Sequence, residues 1–204
     1  MEILTLVTAP LMENCYVIKD GDEAIVIDPG EATPELLDAL EGLNVTLVVN
    51  THAHLDHVGG NAPVLERTGA KLLCHRDCVE MLKEATSQGE KYGMRIEPSP
   101  APDRFLDEGD TVSVGSVTLE VVNVPGHAPG HIALIGDGFV IGGDVLFQGS
   151  VGRTDLPGGS HELLMDSIKT KFLPLPDETI VLCGHGPSTT IGMERQINPF
   201  LVSL

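Results

Sequence analysis

The stretch that most constrains this chain is residues 50–60, Asn50-Thr51-His52-Ala53-His54-Leu55-Asp56-His57-Val58-Gly59-Gly60, where three imidazoles and one carboxylate fall within six positions. It follows directly on Val45-Thr46-Leu47-Val48-Val49, an apolar run that reads as a buried strand. In extended backbone, side chains two apart share a face, so His52 and His54 can point together at one ion. A helical turn near Asp56 and His57 would splay those adjacent groups toward a second ion. Imidazole and carboxylate at this density suit zinc, iron or manganese, whereas a thiolate-rich site favours zinc or iron–sulfur clusters. The competing reading, surface histidines on a polar loop, leaves such density unexplained.

Composition bounds what can be built around that cluster. At 204 residues and 42% hydrophobic, the chain is long enough for one sizeable core, and it reads as one domain over 1–204 with two similar halves, about 1–100 and 101–204. The net charge of −18, with only 12 Lys+Arg, argues against nucleic acid or an anionic membrane as the main partner, and by itself names no substrate. No apolar run approaches the roughly 20 residues needed to span a bilayer. Glu2 interrupts the N-terminus and Ile3–Val7 is too short for a signal core, so the expected setting is cytoplasmic, with Cys15, Cys74, Cys78 and Cys183 as reduced thiols. Cys74 and Cys78 have the look of half a zinc site, but no second pair completes it, and buried apolar cysteine is the expectation.

In chain order, Ile3–Thr8, Asn14–Lys19 and Ala24–Ile27 read as strands, the last closed by Asp28-Pro29-Gly30. Asp28 is either a turn former or the group that holds a ligand histidine in its metal-binding tautomer. Thr33-Pro34-Glu35 starts a helix that runs to Gly42. Val58–Thr68 reads as a helix closed by Gly69, Lys71–Cys74 as a strand and 76–88 as an amphipathic helix. The proline-rich segment 89–104 is a lid or a plain linker. Two hairpins follow, around Gly115 and around Gly136-Asp137-Gly138. Then come a helix over Ser160–Phe172, a strand over Thr179–Cys183 and a closing helix over Met193–Leu201.

The second half contributes three further candidate ligands at strand ends, each preceded by glycine: Gly126-His127, Gly143-Asp144 and Gly184-His185. Glycine permits the sharp turn and close backbone approach that a crowded metal pocket requires. His75, His131 and His161 lack this setting and read as non-ligands.

Together, Thr51-His-Ala-His-Leu-Asp-His57, Pro125-Gly-His127, Gly143-Asp144 and Gly184-His185, with Asp28 upstream, resemble the motif series of the metallo-β-lactamase fold superfamily. Within it, Pro125-Gly-His-Ala-Pro-Gly-His131 and Gly152-Arg-Thr-Asp-Leu-Pro-Gly-Gly159 resemble the short hydroxyacylglutathione hydrolase, or glyoxalase II-like, branch. The resemblance implies an α+β fold, a four-layer αββα sandwich with a metal site along one edge. It also implies that His52, His54 and His127 hold one divalent ion, that Asp56, His57 and His185 hold a second, and that Asp144 bridges them. Zinc is the expected metal, with iron or manganese as alternatives.

The implied reaction is attack of hydroxide on a glutathione thioester such as S-lactoylglutathione, with Asp56 also orienting the nucleophile. Arg153 is a candidate for the substrate carboxylates, or else it forms a loop-fastening pair with Asp155. Full-length glyoxalase II enzymes carry an extra C-terminal helical domain that is not expected in a chain ending at Leu204, so acyl and thiol preference stay open. A second family reading is a glutathione persulfide dioxygenase with a single iron on His52, His127 and Asp144. Lactone or other ester hydrolysis, and a metal-binding protein without turnover, complete the alternatives.

Overall fold

The computed structural model describes residues 1–202. Its first sheet is built from β1 (Glu2–Thr8), β2 (Glu13–Asp20), β3 (Glu23–Ile27), β4 (Asn44–Val49), β5 (Lys71–Cys74) and β6 (Arg104–Phe105), paired in that order. The first three strands are antiparallel and the rest parallel. Helices supply the crossovers that parallel pairing requires. α1 (Pro34–Ala39), capped by the Thr33 hydroxyl with Pro34 in its first turn, links β3 to β4; α2 (Leu55–Val58) and α3 (Asn61–Thr68) link β4 to β5. α4 (Val79–Lys91), entered through one 3₁₀ turn at Arg76–Cys78, precedes β6.

The second sheet orders β14 (Thr189–Thr190), β13 (Ile180–Cys183), β10 (Phe139–Gly143), β9 (Ile132–Gly136), β8 (Val117–Asn123) and β7 (Thr111–Val114). A small hairpin, β11 (Leu146–Phe147) and β12 (Ser150–Val151), stands beside it, and α5 (His161–Ser167) and α6 (Ile191–Ile197) complete the chain.

The period-2 alternation of the central strands dictates the layers. Along β2, Tyr16 and Ile18 enter a core shared with Leu119, Val121, Leu134 and Ile141 of the second sheet, while Cys15 and Val17 pack with Leu36, Val64 and Leu82 of the helices. On β3, Ile25 and Ile27 face inward between the sheets and Ala24 and Val26 outward to the helices. The second sheet mirrors this, with Val122, Ala133 and Val140 turned toward Leu164, Ile168 and Phe172. The result is the expected four-layer αββα sandwich. All four cysteines are free and buried. Among the described residues no helix is long and apolar enough to cross a membrane.

Three element boundaries depart from the sequence reading. Helical structure begins earlier than Val58, and the expected Val58–Thr68 helix is interrupted at Gly59-Gly60. There the chain lies against the Asp28-Pro29-Gly30 turn, with the Gly60 N–H donating to the Pro29 carbonyl at 2.8 Å and no room for a Cβ at either glycine. The expected Ser160–Phe172 helix is α-helical only to Ser167 and continues as a wider π turn over Ile168–Phe172. The closing helix spans Ile191–Ile197, because the Thr190 hydroxyl caps it at Met193 N–H, and residues 199–202 form turns. The two-residue strands β6, β11, β12 and β14 are too short to leave a periodic signal.

Candidate metal centre

The histidine cluster does not continue β4. That strand stops at Val49, and residues 50–54 form an irregular crossing before α2 begins at Leu55. Pairing from both sides holds the crossing in place. The Asn50 N–H donates to the Leu73 carbonyl (2.9 Å), and the Ile132 N–H at the start of β9 donates to the Thr51 carbonyl (2.8 Å). The His57 N–H closes the first turn of α2 on the His54 carbonyl (3.0 Å). Asn50 and Asn61 exchange side-chain amide hydrogen bonds (3.1 and 2.8 Å), and Asn61 also reaches Ser99, which fastens the 89–104 segment beside the cluster.

From the second sheet arrive His127, Asp144 and His185. His127 Nε2 stands 2.8 Å from His54 Nδ1, and the ring of His52 lies 4.9 Å from that of His127. His185 Nε2 is 3.3 Å from Asp56 Oδ2, and the His57 and His185 rings are 5.4 Å apart. Among the described residues three groups have donor atoms close enough to share an ion: Asp28, His52 and His57 within the first half, and two that reach across the sheets, His52 with His54 and His127, and Asp56 with His57 and His185. The Asp144 carboxylate lies between the latter two, Oδ2 at 3.4 Å from His127 Nε2 and 3.6 Å from His185 Nε2, Oδ1 at 3.5 Å from His57 Nε2. Gly184 has to be glycine here, since a Cβ would stand 2.1 Å from Asp144 Oδ1 and 2.9 Å from His57 Cε1.

Four of the five imidazoles, His52, His57, His127 and His185, are oriented from behind. The Thr51 hydroxyl gives its proton to Asp28 Oδ2 (2.6 Å), so at 3.1 Å it accepts from His52 Nδ1. Asp28 Oδ2 also takes His57 Nδ1 (3.0 Å), while Oδ1 accepts the Thr51 N–H (2.7 Å). His127 Nδ1 donates to the Arg153 carbonyl (2.8 Å) and His185 Nδ1 to the Met12 carbonyl (3.3 Å). With Nδ1 held as the donor on these four rings, Nε2 is the nitrogen left to face the cluster and, once deprotonated, to bind an ion. Asp28 (φ 50°) and Met12 (φ 58°) hold left-handed backbone without being glycine, and both make these orienting contacts.

Burial, reinforced by neighbouring imidazoles, pushes His52 well below the ordinary histidine range and His54 to about 4. Burial likewise takes His127 to about 4. His57 is raised despite burial because Asp144 and Asp28 flank it, and His185 is raised despite burial by its bond to Asp56. The carboxyl of Asp56 is lowered by His185 and His57 against the effect of burial, whereas burial raises Asp144.

Among the described residues, His52 Nε2, His57 Nε2 and Asp144 Oδ1 are buried without any hydrogen-bond partner. Three polar atoms orphaned in one cluster cost several kcal/mol unless something fills their lone pairs, and a divalent cation does so. The donor set therefore fits one or two such ions.

Arg153 lies at the surface, its guanidinium doubly bonded to Asp155 (2.8 and 2.7 Å), and its carbonyl is what meets the cluster. Both ring nitrogens of His131 are engaged, with the Val124 carbonyl (3.3 Å) and the Asp144 N–H (3.4 Å), so it supports the cluster from behind. Sequence reasoning missed Glu13. Its carboxylate is fully buried, with Oε1 at 3.8 Å from His57 Nδ1 and Oε2 accepting from Thr8 (2.8 Å). Burial raises this carboxyl well above its ordinary range against the pull of His57. No local signal singled it out, because β2 carries Asn14, Lys19 and Asp20 as well.

A family model described as the metallo-beta-lactamase superfamily matches residues 8–185. The hydroxyacylglutathione hydrolase GloC of Haemophilus influenzae is 38% identical, over 100% of this chain and 99% of its own length. BLEG-1, a B3 metallo-beta-lactamase, superposes with a TM-score of 0.91 at 37% identity over 98% of this chain and 99% of its own. TTHA1623, solved in a di-iron-bound form, gives 0.88 at 40% identity, covering 97% and 100%. With the match running from the end of β1 to His185, the last of the assembled imidazoles, the chain belongs to the metallo-β-lactamase superfamily.

Proposed function

We propose that this protein hydrolyses thioesters of the hydroxyacylglutathione type at two divalent ions, His52, His54 and His127 holding one, Asp56, His57 and His185 the other, and Asp144 both. The observation that carries this reading is the Asp144 carboxylate standing within 3.6 Å of His127, His57 and His185 at the seam of two separate ligand groups. The similarity to a hydroxyacylglutathione hydrolase over the full chain supports the substrate class.

When bound, such ions polarise an acyl carbonyl and bring the pKa of water from 15.7 to about 7. The chain's own residues do the rest. Asp28, Thr51 and the carbonyls of Met12 and Arg153 fix the ligand tautomers. Asp56, kept ionised by His185 and His57, accepts a hydrogen bond from the attacking water and aims it at the thioester carbon. The carbon–oxygen bond forms, the tetrahedral oxyanion collapses and the carbon–sulfur bond breaks. Thiolate is a good leaving group, so no dedicated acid has to protonate it. Arg153, on leaving Asp155, meets a carboxylate of the glutathione moiety at the rim.

The test is a side-by-side assay of the purified, metal-analysed protein. S-lactoylglutathione hydrolysis should exceed β-lactam and lactone hydrolysis, and glutathione persulfide should cause no oxygen uptake. Oxygen uptake with one iron per chain would replace this reading by the dioxygenase one.

A further inference from the structure

We infer that Asn14, a residue of the first sheet, is the positioning residue for His185 and so determines whether the Asp56/His57/His185 group retains its ion; this rests on reading that group as a metal site. His185 differs from the other imidazoles of the second group and its neighbours in how it is held. His52, in the crossing, and His57, in α2, are fully buried, whereas the His185 side chain is 28% exposed and sits just past the end of β13. Packing alone does not fix it.

Hydrogen bonds from β2 do. The Asn14 N–H donates to the Gly184 carbonyl at 2.8 Å, and its side-chain amide donates to the Cys183 carbonyl at 2.9 Å and the Gly186 carbonyl at 2.8 Å. One residue thus occupies carbonyls on both sides of His185. Glu13 adds a single antiparallel bridge to His185, and the Tyr16 hydroxyl gives the Cys183 carbonyl a second donor at 2.6 Å. Asn14 is itself buried, at 4% exposure, and belongs to the opposite sheet. The turn that presents His185 is therefore set by the first half of the chain. An amide is suited to this because it offers two N–H donors from one planar group; a carboxylate of the same shape would face both carbonyls with acceptors.

The experiment titrates Co²⁺ into metal-free wild type, Asn14→Ala, Asn14→Asp and Asn198→Ala, following visible absorption and bound metal by equilibrium dialysis. Asn198 is the control, a buried amide whose donors meet the Ser150 carbonyl (2.9 Å) and Glu194 Oε2 (2.8 Å) and touch no ligand. The wild type is expected to take two ions. In both Asn14 variants the first ion should bind as in wild type and the second about 10–100-fold more weakly, the usual effect of removing an orienting partner. Asn198→Ala should lose stability and keep both ions. If the alanine variant fails to fold, the isosteric aspartate variant carries the comparison. Two ions bound at wild-type affinity by the Asn14 variants, or an equal loss in Asn198→Ala, would overturn the inference. Wild-type protein that binds one ion overturns the two-ion reading itself, and this inference with it.

Discussion

Replacing Asp28 by asparagine changes one atom and breaks the proton bookkeeping behind the cluster. In the wild type the carboxylate accepts three hydrogen bonds, from the Thr51 N–H (2.7 Å), the Thr51 hydroxyl (2.6 Å) and His57 Nδ1 (3.0 Å). An amide cannot accept all three. With its NH₂ toward His57, Nδ1 must become the acceptor, so the ring proton moves to Nε2 and blocks the lone pair aimed at Asp144. With the amide flipped, NH₂ faces the Thr51 N–H, a donor against a donor. Asparagine tolerates the left-handed backbone at this position (φ 50°), so the fold survives.

One mismatched buried donor costs about 1–3 kcal/mol. For a chain of 204 residues about 2 kcal/mol lowers Tm by about 4–8 °C. Loss of the orienting partner should weaken metal binding at the His57 group by about 10–100-fold and thioester hydrolysis in proportion. Thermal melts with and without chelator, bound metal per chain and ¹⁵N chemical shifts of the His57 ring read the three effects separately. Full binding of both ions by Asp28→Asn, with Nδ1 of His57 still protonated, would refute the tautomer reasoning.

Asp56→Ala should cut thioester hydrolysis by about a hundredfold or more with circular dichroism unchanged, and near-normal turnover would remove Asp56 from the mechanism. Arg153→Ala should raise KM for glutathione thioesters more than for uncharged thioesters, and equal effects would leave its guanidinium only the Asp155 pairing. In the metal-free protein the folded state refuses protons at His54 and His127, both held to about 4, that the unfolded chain accepts near 6.5. Their contribution therefore makes stability fall as pH drops from 6.5 toward 4, which urea melts across that window will show. Because His57 and His185 are raised instead, zinc binding should release protons from that group, and an indicator dye that registers none would contradict the assignment.

Periodicity carried the architecture because each central strand alternates between two cores, as Tyr16 and Val17 do. It failed where tertiary contact overrides local pattern. Gly59-Gly60 interrupts a helix because another turn lies against it, and β6 and β14 are too short to repeat anything. That the His-x-His-x-Asp-His cluster and the residues after Gly126, Gly143 and Gly184 come together was legible because rare titratable side chains recur at strand ends. The groups behind them were not. Asn14, Glu13 and the Met12 carbonyl act through backbone or buried polar contacts that cross from one sheet to the other, and no local spacing announces a partner more than a hundred residues away.

That crossing has a consequence for how the chain folds. The donors at 52–57 and at 127–185 become neighbours only after both sheets have formed and docked, so neither half alone can chelate the pair. The complete donor set is thus a property of the finished assembly and not of its parts. At a free concentration a hundred times Kd, each ion adds about 2.7 kcal/mol to the native state. Chelation should loosen the seam between the sheets before it loosens either sheet, and hydrogen exchange at Ile132 and Asn14, whose amides cross that seam, is where the loosening becomes visible.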